Sequence, residues 1–284
     1  MTPIDVGPFG VWSSALRVED EATALEAAAE LEELGYGAIW LPGRRDDVFV
    51  RAGAVLGATS RIAVATGIVN VWRTPAEEAA REQLELRRAH PGRFLLGLGI
   101  SHAPLVEQYR TPLRAMREYL DELDALGVPR QERALAALAP RMLELARDRS
   151  AGSHTYLVPV EHTRRAREKL GPGALLAVEA GVVLEHDPAR ARSIARTHLE
   201  TYLRFPNYVN NWLRNGFSES DLERGCSDRL VDALVAWGDP DTIARRLREH
   251  REAGADHVCV QVLTEQTQSF HREAWRELAG ALST

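Results

Sequence analysis

Short apolar runs alternate with longer amphipathic segments along this chain, and the two kinds differ in period. Phe9-Gly10-Val11-Trp12, Ala38-Ile39-Trp40-Leu41 and Phe94-Leu95-Leu96-Gly97-Leu98-Gly99 are short and continuous, the pattern of strands buried on both faces. Residues 21–34 instead carry an alanine-rich stripe at helical spacing (Ala24, Ala27, Ala28, Leu31, Leu34), stopped by Gly35. Residues 48–59 read as a second helix. Thr74-Pro75-Ala76-Glu77 predicts a third, with Thr74 as N-cap, Pro75 at the first helical position and Glu77 completing a capping box. A fourth places Leu113, Met116, Leu120 and Leu123 on one face.

The second half keeps this rhythm. Ala134-Leu135-Ala136-Ala137-Leu138 is ambiguous between strand and helix, and Pro140 opens a helix after it. Thr155-Tyr156-Leu157-Val158 predicts the next strand, unless that strand sits earlier, at Gly152-Ser153-His154. A helix over 161–170 leads to Ala174-Leu175-Leu176-Ala177-Val178 and Val182-Val183-Leu184. Asp187-Pro188 starts a helix that ends near Phe205-Pro206. Residues 207–238 read as short helices, and Asp239-Pro240 starts the last long helix, which Gly254 stops. The final strand is His257-Val258-Cys259-Val260-Gln261-Val262-Leu263, with a terminal helix over 269–282.

Eight strands, each followed by a helix, predict an α/β chain: a closed parallel (β/α)8 barrel of the TIM type, a single domain over 1–284. A short helical insertion, about 206–238, precedes the last βα unit. An open doubly wound sheet is disfavoured, since no Gly-x-Gly-x-x-Gly follows the first strand. One run changes character partway. Arg61-Ile62-Ala63-Val64-Ala65-Thr66-Gly67-Ile68-Val69-Asn70-Val71-Trp72 begins as a β-branched strand, and then Gly67 interrupts it. That glycine marks either a plain exit from the sheet or a bulge where something approaches the backbone closely.

Composition narrows the partners. The chain has 284 residues, 45% of them apolar, with a net charge of −6, which argues against a general nucleic-acid binder. Lys169 is the only lysine and lies in a polar helical run, so a Schiff base or a Walker-type loop is excluded. Cys226 and Cys259 make neither a disulfide framework nor a metal-ligand spacing. No basic region followed by an apolar core opens the sequence, and no apolar run reaches membrane-spanning length. The expectation is a soluble cytoplasmic protein with no membrane partner.

In such barrels chemistry sits on the loops after the C-terminal ends of the strands. That rule selects Trp12, Ser13 and Ser14, then Pro42, Gly43, Arg44 and Arg45, then 67–73, then Gly99, Ile100, Ser101 and His102. Later strands deliver Ala139, Pro140 and Arg141, then Pro159, Glu161 and His162, then Glu185 and His186, and lastly Thr264, Glu265 and Gln266. His102 ends a buried strand and is the sharpest candidate for proton exchange near neutral pH; the alternative is a histidine bracing a neighbouring loop. Trp12, Trp72 and Tyr109 can wall an aromatic pocket or simply pack. Tyr208, Asn210, Asn211 and Trp212 form a polar-aromatic knot after a helix, which assigns it to the opposite, stability face of the barrel or to an interface. No metal-site spacing and no Gly-x-Ser-x-Gly nucleophile elbow is present.

Several motifs in order resemble a known family: Phe9-Gly10-Val11-Trp12, Gly35-Tyr36-Gly37-Ala38-Ile39-Trp40, Ala63-Val64-Ala65-Thr66-Gly67-Ile68 and Arg93-Phe94-Leu95-Leu96-Gly97-Leu98-Gly99. Residues 136–146 and the tail from Val235-Ala236-Trp237-Gly238-Asp239-Pro240 to His257-Val258 extend the match over essentially the whole chain. These resemble the bacterial luciferase-like flavin and deazaflavin barrels, and within them most of all the coenzyme F420-dependent oxidoreductases. The resemblance implies a non-prolyl cis peptide, here Gly67-Ile68, in a bulge formed by Thr66, Gly67, Ile68, Val69 and Asn70 behind the cofactor ring. Gly99 and Ser101 are implied beside the ring, with an acid/base group at His102.

The cofactor phosphate is implied near helix starts after strands five and six, at Ala139, Pro140 and Arg141, with Gly152, Ser153 and His154 resembling a small-residue turn. Trp12, Pro42, Trp72 and Tyr109 fall where substrate is expected, and a homodimer is implied. Two departures stand out: residues 102–112 are short for the loop after strand four, and Pro42-Gly43-Arg44-Arg45 lacks the acid or histidine some relatives carry. Three readings follow: F420-dependent hydride transfer to or from a small organic molecule, an FMN-dependent monooxygenase, or a barrel that binds cofactor or metabolite without turnover.

Overall fold

The computed structural model describes residues 4–43, 48–100, 111–265 and 270–283. In chain order the elements begin β1 (Phe9–Trp12), α1 (Ala15–Val18), α2 (Glu21–Glu33), β2 (Ala38–Leu41), α3 (Val48–Ala58), β3 (Ala63–Thr66), β4 (Val69–Asn70), α4 (Ala76–Ala89) and β5 (Phe94–Gly99). They continue through α5 (Pro112–Ala125), β6 (Arg133–Ala136), α6 (Pro140–Arg149), β7 (Gly152–Thr155), α7 (Val160–Leu170), β8 (Leu175–Val183) and α8 (Pro188–Leu203). The chain then runs α9 (Pro206–Arg214), α10 (Glu219–Leu222), α11 (Asp228–Leu234), β9 (Val235–Trp237), α12 (Pro240–Glu252), β10 (His257–Val262) and α13 (Arg272–Leu282).

All described pairings are parallel, and the order β1-β2-β3-β5-β6-β7-β8 closes on itself through β10, which pairs both β8 and β1. Eight strands therefore close the expected barrel; β4 prolongs β3, and β9 joins β8 outside the ring. The helices cover the outside, burying faces such as Ala24, Ala27, Ala28 and Leu31 of α2 and Met116, Leu120 and Leu123 of α5. Asp187 and Asp239 accept N–H bonds from Arg190 and Thr242, so both expected Asp-Pro caps form.

Four local expectations shift. The ambiguous run at 134–138 is strand β6. The sixth strand takes the earlier alternative, Gly152–Thr155, because Tyr156 and Leu157 already turn over the rim. The two apolar pieces at 174–178 and 182–184 are one nine-residue strand, continuous through Glu179. Helix α4 starts at Ala76 with Pro75 as N-cap and no side-chain cap, because the Thr74 N–H donates to Asn70 O at 3.1 Å and its carbonyl accepts the Tyr119 hydroxyl. The 206–238 insertion holds three short helices and ends in a strand, β9, on a satellite core that includes Leu199, Phe205, Tyr208, Trp212 and Leu230. No described helix is long and apolar enough to cross a membrane.

Candidate functional site at the barrel mouth

Register shows how the third strand changes character. Ala65 pairs with Leu95 and Val69 with Leu98, so four steps along β3–β4 match three along β5. One extra residue is accommodated between them, which is a bulge. Thr66 pins it: its hydroxyl donates to Gly97 O and accepts from Gly97 N, both at 2.8 Å. The Gly67-Ile68 peptide within the bulge is cis.

Glycines let the surrounding strands approach this point. A Cβ on Gly97 would lie 1.8 Å from Thr66 O, one on Gly43 would lie 2.3 Å from Ile68 O, and one on Gly99 would lie 2.6 Å from the Ile68 side chain. The bulge is thus wedged between β2's exit and β5. Gly67 and Ile68 remain half-buried, while β3 itself is fully buried, so they face the open end of the barrel.

Inward-pointing residues of such a barrel stack in layers drawn from alternate strands. Following the register around the ring puts Trp12, Gly67, Ala136 and Glu179 in one layer. A Cβ on Gly67 would sit 2.8 Å from Trp12 Nε1, consistent with that placement. Trp40, Gly97, His154 and Cys259 form the layer beneath; Pro42, Gly99, Tyr156 and Gln261 form the rim above.

The lower layer is dense and neutral. Trp40 stacks on His154 with ring centroids 4.3 Å apart and donates Nε1–H to His257 Nε2 at 2.9 Å. His257 must therefore carry its proton on Nδ1, which reaches Gly7 O at 2.8 Å. Burial pushes the His257 imidazole down to about 4 and that of His154 to about 3. Cys259 donates to Val178 O at 3.4 Å, and burial raises its thiol well above the usual range.

At the rim, the Tyr156 hydroxyl donates to Gln261 Oε1 at 2.9 Å, with Tyr202 at 3.0 Å and His198 Nε2 at 3.3 Å on the same oxygen. Its ring lies 5.6 Å from Trp12 and 6.2 Å from Tyr208. Trp212 donates to Leu157 O at 2.9 Å. The aromatic knot thus folds over the face at the C-terminal ends of the strands, not the opposite, stability face, because the insertion returns across the mouth. Below it, Glu179 is 1% exposed; its Oε2 accepts the Leu157 N–H at 3.0 Å, and its Oε1 has no partner among the described residues. Burial pushes its carboxyl up to about 8.

Trp12, Pro42, Gly67, Ile68, Val69, Asn70 and Gly99 therefore converge at the bulge. Trp72 follows on the rim, its N–H held by Asn70 Oδ1 at 2.9 Å. Ala139, Pro140 and Arg141 begin α6, which has no side-chain cap and no acid in its first turn. The turn expected at Gly152, Ser153 and His154 is a buried strand instead: Gly152 starts β7 at the closed end, Ser153 points out of the barrel, and His154 is locked under Trp40. Those three cannot line the helix start after that strand, where Pro159 and Val160 stand. Ser101, His102 and Tyr109, with Arg44 and Arg45, lie outside the described residues.

Glu179, Tyr156 and Gln261 are rim and interior groups that sequence reasoning passed over. The signal for Glu179 was present as a lone acid inside a nine-residue apolar strand. Among the described residues no cluster of His, Cys, Asp and Glu could hold a metal.

Comparison with known proteins fits this geometry. A Mycobacterium tuberculosis protein inferred to be a coenzyme F420-dependent oxidoreductase is 23% identical over 219 residues, covering 74% of this chain. The chain spans 60% of that relative's length. An F420-dependent secondary alcohol dehydrogenase in complex with an F420-acetone adduct superposes with a TM-score of 0.75 at 14% identity, over 97% of this chain and 99% of its own. The coenzyme F420-dependent tetrahydromethanopterin reductase of Methanopyrus kandleri gives 0.68 at 16% identity, over 96% and 97%. The FMN-bound oxygenating constituent of 3,6-diketocamphane monooxygenase from Pseudomonas putida gives 0.66 at 13% identity, over 97% and 96%. The family profile described as luciferase-like monooxygenase matches residues 8–257, spanning the barrel from its first strand to the start of its last. On that match the chain belongs to the luciferase-like monooxygenase family.

Proposed function

We propose that this chain is an oxidoreductase that uses coenzyme F420 to move hydride to or from a small organic substrate. The observation that carries the reading is the bulge at Thr66–Asn70, wedged by Gly43, Gly97 and Gly99 so that the Gly67-Ile68 peptide faces the mouth. The residues present fit a flat polar ring. Half-buried Gly67, Ile68 and Ala136 offer a small-residue platform, and two buried polar atoms, Trp12 Nε1 and Glu179 Oε1, lack partners among the described residues. Bound there, a deazaflavin supplies a ring carbon that gives or takes hydride.

The chain's own residues orient and shield. The uncapped start of α6 at Ala139, Pro140 and Arg141 offers the Arg141 N–H and a favourable dipole to a phosphate. Trp12, Tyr156, Tyr202 and Tyr208 form an aromatic wall that excludes water from the substrate side. His102, by its position after β5, is our candidate for proton exchange with the substrate. The same reading has the chain working as a homodimer in the cytoplasm, without a nucleic-acid or membrane partner.

Fluorescence titration of the purified protein with F420 and with FMN tests the reading. F420 is expected to bind at micromolar concentration, and His102→Ala is expected to cut turnover about 10²-fold or more. FMN binding without F420 binding would replace this reading with a flavin monooxygenase. Binding of neither would leave a barrel without redox function.

A further inference from the structure

Among the described residues Glu179 is the one buried carboxyl in the barrel interior, and none of them balances a charge on it. From β7 and the turn after it, His154 and Tyr156 face it; from β10, Cys259 and Gln261; from β1, Trp12. None is a cation: burial keeps His154 neutral, the Cys259 thiol and the Tyr156 phenol stay protonated, and Gln261 and Trp12 do not titrate. A charge here would be buried and uncompensated, so the carboxyl stays protonated at neutral pH.

Its two oxygens then have distinct roles. Oε2 accepts the Leu157 N–H and is the carbonyl oxygen. Oε1 is the hydroxyl, a donor, and no acceptor among the described residues meets it. It sits in the layer of Trp12, Gly67 and Ala136, across the barrel from the bulge.

Resting on the F420 reading above, we propose that Glu179 acts as a neutral acid whose Oε1–H donates a hydrogen bond to a carbonyl oxygen or unprotonated nitrogen on the edge of the bound ring. Its Oε2 at the same time fixes the Tyr156-Leu157 corner, where Leu157 has a φ of 52°. Ionisation of Glu179 removes the donor and sets a negative charge against the acceptor edge. Ring affinity therefore declines once pH exceeds the value at which this carboxyl ionises.

The test is fluorescence titration of the full chain with F420 between pH 6 and pH 10, for wild type and Glu179→Gln. Wild-type affinity is expected to fall about tenfold per pH unit on the alkaline side. Glu179→Gln keeps a neutral donor and an acceptor, so its affinity is expected to lose that limb while staying within about threefold of wild type at pH 6.5. An alkaline limb shared by both proteins, or absent from both, overturns the proposal. Infrared difference spectra of the ligand-free proteins give a second readout. A carboxylic-acid carbonyl band present in wild type at pH 6.5 and missing in Glu179→Gln is expected; no such band overturns the neutral acid. If Glu179→Gln fails to fold, wild type alone decides, because the band and the affinity must be lost over the same pH range. Absence of F420 binding at pH 6.5 refutes the F420 reading itself, whereas binding without the alkaline limb refutes only the role of Glu179.

Discussion

The two sides of the barrel interior are built from different materials. Across β3, β5 and β6 the inward positions are Ala63, Ala65, Leu95, Gly97, Gly99, Ala134 and Ala136, small except for Leu95. Across β1, β2, β7, β8 and β10 they include Trp12, Trp40, His154, Tyr156, Glu179, His257, Cys259 and Gln261. The cross-section of an eight-stranded barrel is fixed, so bulk on one side requires its absence on the other. The large side carries hydrogen-bonding groups that must find partners in the interior, and the small side leaves room at the mouth. The bulge stands at the seam, on the small side, with Trp12 beside it.

Truncating the large side should cost most. Trp40→Ala removes a fully buried ring, its stack on His154 and the donor to His257 Nε2; a loss of about 3–5 kcal/mol in urea unfolding is expected. A loss below about 1 kcal/mol would mean that the small side collapses to fill the space.

Acid should break the same side too. The folded-state values of His154 and His257 lie below the ordinary histidine range, so between pH 6.5 and about 4 the unfolded chain binds the extra protons. Their contribution is present above about pH 6.5 and lost as pH falls toward 4, by about 3 kcal/mol for His257 alone. Denaturant midpoints across that window check this. A flat profile would show that both rings reach water.

The fold was legible because each barrel unit repeats the same local signals: apolar run, turn glycine, amphipathic helix. Asp187 and Asp239 announce their helices by residue type alone. The bulge was legible only through the family resemblance, since Gly67 by itself fits a plain exit from the sheet equally well. What stayed hidden depends on tertiary inversion. In a barrel the inside of a strand is reached by alternate residues, so a polar residue such as Gln261 or Glu179 in an apolar run marks the interior, although it reads as an interruption. Segment 152–154 resembles a phosphate turn, yet its small residues serve close strand packing: a Cβ on Gly152 would lie 1.9 Å from Leu175 O. The Tyr208–Trp212 knot follows a helix yet lies at the mouth, because position after a helix says nothing about an insertion that folds back over the rim.

The small side gives the most direct measurement of whether its space is there for a ring. Ala136 is half-buried at the mouth, with the Cβ position of Gly99 3.3 Å away, so Ala136→Leu fills the platform with a stability cost of about 1–3 kcal/mol or less. Fluorescence titration with F420 should show micromolar binding to wild type and affinity weakened about 100-fold or more in a folded Ala136→Leu protein. Equal F420 affinity in the two proteins would contradict the claim that the ring lies against the bulge.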